Sequence, residues 1–158
     1  MKIGVVSDTH SFSIPQQLVK DFADAELIIH AGDFCSKEVY NGFAKMKTLK
    51  AVYGNMDDAD LCRKLPRKDI FECEGIRIGV YHGEGPAKRV LDFVREEFKE
   101  DKVDVVVFGH SHQPLNEVID NVLYFNPGSP NDKIYAPYCS YGMLEIRNGK
   151  VNGKIIKI

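Results

Sequence analysis

Short apolar runs, each closed by a cluster of Gly, Asp, Asn or His, set the rhythm of the chain. The runs at 2–7, 26–30 and 49–53 are bounded by turn signals and predict strands. Between them the apolar positions move to helical spacing. Pro15 to Ala23 opens with proline in a first-turn position and repeats at Leu18, Phe22 and Ala23; Lys37 to Met46 follows Ser36, a helix-capping residue. The order βαβαβ predicts a mostly parallel sheet in the first half.

In the second half, IFECEGIRIGVYHG holds two apolar runs about Glu74-Gly75, a tight-hairpin pattern. Pro86 to Glu100 predicts the clearest helix: Val90, Leu91, Val94 and Phe98 share one face, with Lys88, Arg95, Glu96 and Lys99 mostly on the other. Val103 to Phe108 and the segments PLNEVIDNVLYFNPG and SYGMLEIRNGKVNGKIIKI predict further strands, with Asn148-Gly149 as a hairpin turn. One βαβ half and one mostly antiparallel half can stack two sheets face to face beneath outer helices. The expected fold class is therefore α/β, a four-layer α-β-β-α sandwich with two central sheets, as one domain over residues 1–158.

Composition narrows the function classes. The 158 residues suit one core, and 44% apolar with 28% charged residues is ordinary for a soluble globular protein. No apolar run approaches the roughly 20 residues that span a bilayer, so no membrane partner is expected. The N-terminal run is too short for a signal sequence and carries Asp8 where a small-residue cleavage site would lie, which predicts a cytoplasmic protein. A net charge of -2 with scattered Lys and Arg gives no support to nucleic-acid binding. Cys35, Cys62, Cys73 and Cys139 lack paired spacing and read as reduced, small apolar residues.

Chemistry gathers where the apolar runs end. In α/β sheets ligands collect beyond the carboxyl ends of strands, and those positions read SDTH, HAGD, YGNMD, YHGEG and FGHSHQP. They offer Asp8, His10, Asp33, Asn55, His82, His110 and His112, which include four of the five histidines. Residues two apart in an extended segment face one way, so Asp8 with His10, and His110 with His112, can each present two donors to one site. Imidazoles mixed with carboxylates and an amide favour Mn²⁺, Fe²⁺ or Zn²⁺ over Ca²⁺. Seven ligands suit two metals about 3.5–4 Å apart that share a carboxylate, an arrangement fitted to phosphoryl chemistry.

These five motifs, in this order from Asp8 to His112, resemble those of the metallophosphoesterase superfamily (D-x-H, G-D, G-N, a lone H, G-H-x-H). NPGS at Asn126 to Ser129 extends the likeness towards its small bacterial and archaeal phosphodiesterases. The resemblance implies that Asp8, His10 and His112 hold one metal, that Asn55, His82 and His110 hold a second, and that Asp33 bridges. It also implies the four-layer sandwich and a metal-bridging hydroxide as nucleophile. Two positions depart from the family pattern. Met56 stands where many relatives place a histidine that assists the leaving oxygen, and Glu84 stands where small diesterases often place another. The general acid is thus unassigned, with Asp57 as a minority candidate.

The implied activity is a metal-dependent phosphodiesterase, a phosphoric diester hydrolase acting on a small diester. It takes two divalent ions, Mn²⁺ first, with Ni²⁺, Fe²⁺ or Zn²⁺ as alternatives, and a homo-oligomer stays open. A phosphomonoesterase is less comfortable because Met56 offers no proton to an alkoxide. A protein-binding scaffold like the eukaryotic retromer subunit of this fold would be expected to have lost some of the seven ligands. Other residues have plainer roles: His30 as a core or outer imidazole orienting Asp33, Asp57 and Asp58 as helix caps, and Asn126 to Ser129 as a turn or part of the site. Tyr135, Tyr138 and Tyr141 read as a packing or interface cluster, and Lys88 and Arg89 as solvated charges.

Overall fold

The computed structural model describes residues 1–10 and 13–158. Strands β1 (Lys2–Val6), β2 (Leu27–His30) and β3 (Thr48–Ala51) run parallel, as strands joined by helical crossovers must. The crossovers are α1 (Gln16–Phe22), entered through Pro15, and α2 (Lys37–Met46), whose cap Ser36 accepts the Val39 N–H at 3.3 Å. Helix α3 (Ala59–Lys64) follows, and Asp58 caps it by accepting the Leu61 N–H at 2.8 Å.

The second sheet is built from β4 (Lys68–Cys73), β5 (Ile76–Tyr81), β6 (Val105–Val107), β7 (Leu115–Ile119) and β8 (Val122–Asn126), in the order β4-β5-β6-β8-β7. It is evenly mixed, where the sequence pattern predicts mostly antiparallel pairing. Its hairpins lie at the two edges, while β5-β6 and β6-β8 are parallel. The cause is connectivity. Helix α4 (Val90–Glu97), preceded by a 3₁₀ turn over Ala87–Arg89, carries the chain back to β6. From β6 the chain passes to the far edge before β8 returns beside it.

The last hairpin, β9 (Ser140–Arg147) and β10 (Lys150–Lys157), joins the first sheet, giving the order β10-β9-β1-β2-β3. The two sheets therefore do not correspond to the two halves of the chain. Leu144 and Ile146 of β9 turn inward to the layer between the sheets, beside Ile3 and Val5 of β1 and Ile78, Val80, Val105, Val107 and Phe125 of the opposite sheet. Leu18, Phe22, Val39, Phe43 and Leu61 seal the outer face of the first sheet, and Val90, Val94 and Phe98 that of the second. These three apolar layers between four layers of backbone are the expected α-β-β-α sandwich.

Both hairpins expected from sequence form with two left-handed central residues, Glu74-Gly75 (φ 51° and 76°) and Asn148-Gly149 (φ 51° and 70°). A third, Asp120-Asn121 (φ 51° and 65°), links β7 to β8 without glycine. Asp and Asn are the residues that tolerate this region best. No described helix is long and apolar enough to cross a membrane.

Candidate metal centre

The loops after β1, β2, β3, β5 and β6 meet at one end of the sandwich. Asp8, His10, Asp33, His110 and His112 all have left-handed backbones, with φ between 50° and 65°. Each such residue costs roughly 1–2 kcal/mol relative to an ordinary conformation. Strand alternation therefore does not aim these pairs, contrary to the expectation from spacing. The segments have already left extended geometry, and alternate left-handed residues turn the side chains inward. Backbone bonds hold them: Asp8 N–H to Gly32 O (3.0 Å), His10 N–H to Asp33 O (3.1 Å) and Gly109 N–H to His82 O (2.9 Å). The His110 N–H also donates to Asp8 Oδ2 at 3.1 Å.

All seven residues singled out from sequence come together. His10 Nε2 and His112 Nε2 lie 3.0 Å apart. Asp8 Oδ1 faces His112 Nε2 at 3.3 Å and the Nε2 atoms of His10 and His82 at 3.9 Å each. Asp33 Oδ2 lies 3.4 Å from His82 Nε2, while Asn55 Oδ1 lies 3.1 Å from that atom and 2.8 Å from His110 Nδ1. Two overlapping donor sets result that can hold a metal ion, Asp8-His10-His112 and Asp8-Asp33-His82.

One atom tests whether a cation belongs here. Asp8 Oδ1 is fully buried and has no hydrogen-bond partner among the described residues. An unpartnered buried carboxylate oxygen is expensive, yet this one is surrounded by imidazole nitrogens. A divalent ion ligated by that oxygen and those nitrogens removes the penalty, so the residues fit a metal.

The electrostatics agree. Burial pushes the Asp8 carboxyl up, but His112 and His82 outweigh it and hold the group below its ordinary value; Asp33 is likewise lowered, mainly by its bond to His82. Burial lowers His82 and His112, but Asp33 and Asp8 acting on the first, and Asp8 and Asp132 on the second, raise each to about 9. Without a metal ion, the neighbouring carboxylates thus favour the protonated form of these two rings. A metal needs the imidazoles neutral, so binding releases those protons.

Outer partners fix which nitrogen faces inward. His82 Nδ1–H donates to Ala31 O at 2.7 Å, and His112 Nδ1–H to Asp132 Oδ2 at 2.5 Å. His10 Nδ1 lies 3.4 Å from Cys35 Sγ, a thiol that burial pushes up to about 12. His110 is reversed: its Nε2 bonds Gly85 O at 2.9 Å and its Nδ1 faces Asn55. Asp132 is missing from the sequence reading. Its only signal is a carboxylate three residues after NPGS, and nothing in local spacing places it on a histidine 20 residues earlier.

Asp57 is not a helix cap; Asp58 alone takes that part. The Asp57 carboxylate accepts three backbone N–H groups, from Asp33 (3.0 Å), Cys35 (2.8 Å) and Gly54 (2.8 Å), tying the Asp33 and Asn55 loops together. Both its oxygens are thereby committed. Burial raises its pKa even so. His30 is buried and stacked on Phe34; its Nδ1 accepts the Gly32 N–H, and its Nε2–H donates to Thr9 Oγ1, which in turn bonds Asp33 O. Asn126 and Ser129 are buried supports: Asn126 Nδ2–H donates to Gly109 O at 2.9 Å, and Ser129 Oγ–H to Asp8 O at 2.8 Å. Glu84 pairs with Arg67 at 3.7 Å. Of the tyrosines, Tyr141 is wholly buried and packs edge-on against Phe22, the expected packing role, while Tyr135 is exposed.

Gly109 shows how tight the assembly is. A methyl group there would overlap Ser7 Oγ and press on Asp8 Oδ2, so glycine is required by close approach.

Comparison with known proteins gives the chain's family and fold. The family model for the calcineurin-like phosphoesterase superfamily domain matches residues 1–149. The probable metallophosphoesterase MJ0623 of Methanocaldococcus jannaschii is 40% identical, with all of this chain and 82% of that one covered. The phosphodiesterase MJ0936 of the same organism is 34% identical over 81% of this chain and 83% of its own. Among solved structures, Vps29 of Chaetomium thermophilum superimposes with a TM-score of 0.81 at 20% identity, covering 99% of this chain and 96% of that one. That last likeness is one of fold alone.

Proposed function

The chain belongs to the calcineurin-like phosphoesterase superfamily, and from that premise we propose that it is a phosphodiesterase with a dinuclear metal centre. Asp8, His10 and His112 would hold one ion, Asn55, His82 and His110 the other, with Asp33 shared between them. The single observation that carries this reading is the convergence of His10, Asp33, His82 and His112 about the unpartnered Asp8 Oδ1, with Asn55 and His110 joined to them through His82. Ions held there would supply Lewis acidity towards a water and towards the charge on a phosphoryl group. The chain's own residues do the positioning. Ala31 O, Cys35 and Asp132 aim three imidazoles, Met56 N–H fixes Asp33 Oδ1 at 2.7 Å, and Asp57 locks the loops that carry Asp33 and Asn55.

A diester is favoured over a monoester because the imidazoles beside Asn55, His82 and His110, would be taken up as metal ligands, which leaves no evident side chain among the described residues to give a proton to an alkoxide. Met56 occupies that position, exposed, and Asp57 is bound to backbone. The scaffold reading has no comparable support, since all seven donor positions are intact. Asp33→Asn tests the proposal: it is expected to reduce metal content and abolish hydrolysis together. Retained hydrolysis in that variant would refute the shared-carboxylate mechanism.

A further inference from the structure

Beside His10 and His112 the surface sinks into a groove of about 920 Å³, within the range of small-molecule sites. Its walls are mostly apolar, formed by Pro15, Pro130, Ile134, Tyr135, Cys139 and Ile158, with Lys133 and the Asp132 carboxylate among the charged groups of the described lining. Ile134 and Tyr135 are 81% and 78% exposed, the most exposed large apolar residues among those described. Neither packs into the core, and both stand at the mouth of this groove.

The loop that carries them is built. The Asp132 carboxylate accepts the N–H groups of Ile134 (2.8 Å), Tyr135 (3.0 Å) and Ala136 (3.1 Å) while its Oδ2 holds His112. Gln113 Nε2–H donates to Tyr135 O at 3.1 Å, and Asn131 Nδ2–H to Thr9 O at 2.9 Å. The same carboxylate thus orders the apolar wall and a metal-facing imidazole, and the wall is fastened to the segments that carry His10 and His112. Large apolar side chains exposed on a loop whose backbone is fastened at the rim of a polar centre mark a binding surface.

From this juxtaposition we infer that the groove receives an aromatic ester group of the substrate, so that the phosphodiesters this protein prefers carry an aryl or similarly flat apolar group. The inference rests on the phosphodiesterase reading for the phosphorus and on the groove for the group attached to it. The groove opens beside His10 and His112, so an ester group on a phosphoryl held at the metal centre would extend into it. A ring there meets the proline rings, Ile134 and the Tyr135 face, while Lys133 complements the diester's negative charge. A small aliphatic ester would leave the wall wet.

The test compares two diesters in protein supplied with Mn²⁺. Binding of diphenyl phosphate and of dimethyl phosphate is measured by calorimetry, alongside hydrolysis of an aryl diester. Diphenyl phosphate is expected to bind about tenfold tighter or better, the scale at which apolar pockets discriminate, and the double variant Ile134→Ser, Tyr135→Ser to bring the ratio close to one. Because both residues are exposed, the fold is expected to survive; Ile158→Ser offers a second reading of the same ratio. Equal affinities in the unaltered protein, or an unchanged ratio in the variants, overturn the inference and leave the groove to some other occupant, such as a peptide segment. Aryl preference in binding without metal-dependent hydrolysis would refute the enzymatic reading while upholding the groove. Hydrolysis without aryl preference would do the reverse.

Discussion

Asp132→Asn is expected to weaken metal binding with little disturbance of the fold. The carboxylate serves four donors, with Oδ2 taking His112 Nδ1–H and the Ala136 N–H, and Oδ1 taking the N–H groups of Ile134 and Tyr135. An amide has one acceptor oxygen, so either orientation turns an NH₂ group towards two donors. If the oxygen faces the loop, His112 loses the partner that keeps Nδ1 protonated and Nε2 inward. If it faces His112, the 134–135 turn loosens. Loss of such an outer partner typically costs about 10–100-fold in metal affinity, or roughly 1.4–2.8 kcal/mol at 1.4 kcal/mol per tenfold. Titrating chelated protein with Mn²⁺ by calorimetry measures this directly. Asp120→Asn is the control, because that carboxylate pairs with Arg95 on the surface. Affinity for Mn²⁺ within twofold of the unaltered protein in Asp132→Asn would refute the argument that this carboxylate orients a ligand.

Two further predictions follow from the same geometry. His82 and His112 have folded pKa values raised from 6.5 to about 9, so the stability they contribute is present in full below pH 6.5 and is lost as pH rises through about 9. The melting temperature of chelated protein is expected to fall across that window, and added metal to flatten the fall by replacing the protons; a flat profile without metal would contradict the coupling. Gly109→Ala is expected to destabilise the protein by about 1–3 kcal/mol through overpacking and to weaken metal binding as well, because the added methyl group displaces Ser7 or Asp8; thermal unfolding and metal titration together check both.

The donor set was legible in the sequence because chemistry at strand ends is a local pattern: an apolar run, then Asp, Asn or His beside glycine. The first three strands and the Ser36-capped helix were legible for the same reason. What escaped depends on contacts between distant segments. That β9 pairs with β1 is decided by burial of Leu144 and Ile146 between the sheets, which no local period encodes. Asp132 reaches His112 across 20 residues, and Asp57 reaches Asp33 across 24. Aspartate at either place suggests a turn or a cap until the partner is seen. The left-handed backbones of Asp8, His10, His110 and His112 were hidden as well: Asp and His enter this region more readily than most residues but serve equally in extended and helical segments, and it is the surrounding bonds that hold these four there.

The most direct test of the central claim is hydrolysis of a chromogenic phosphodiester beside its monoester, first by chelated protein and then with Mn²⁺ restored, with bound metal counted in the same preparation. The proposal predicts diester hydrolysis that appears only with metal, exceeds monoester hydrolysis, and reaches its maximum at two ions per chain. Full activity at one ion per chain, or silence on both esters with Mn²⁺, Ni²⁺, Fe²⁺ and Zn²⁺ each supplied, would contradict it.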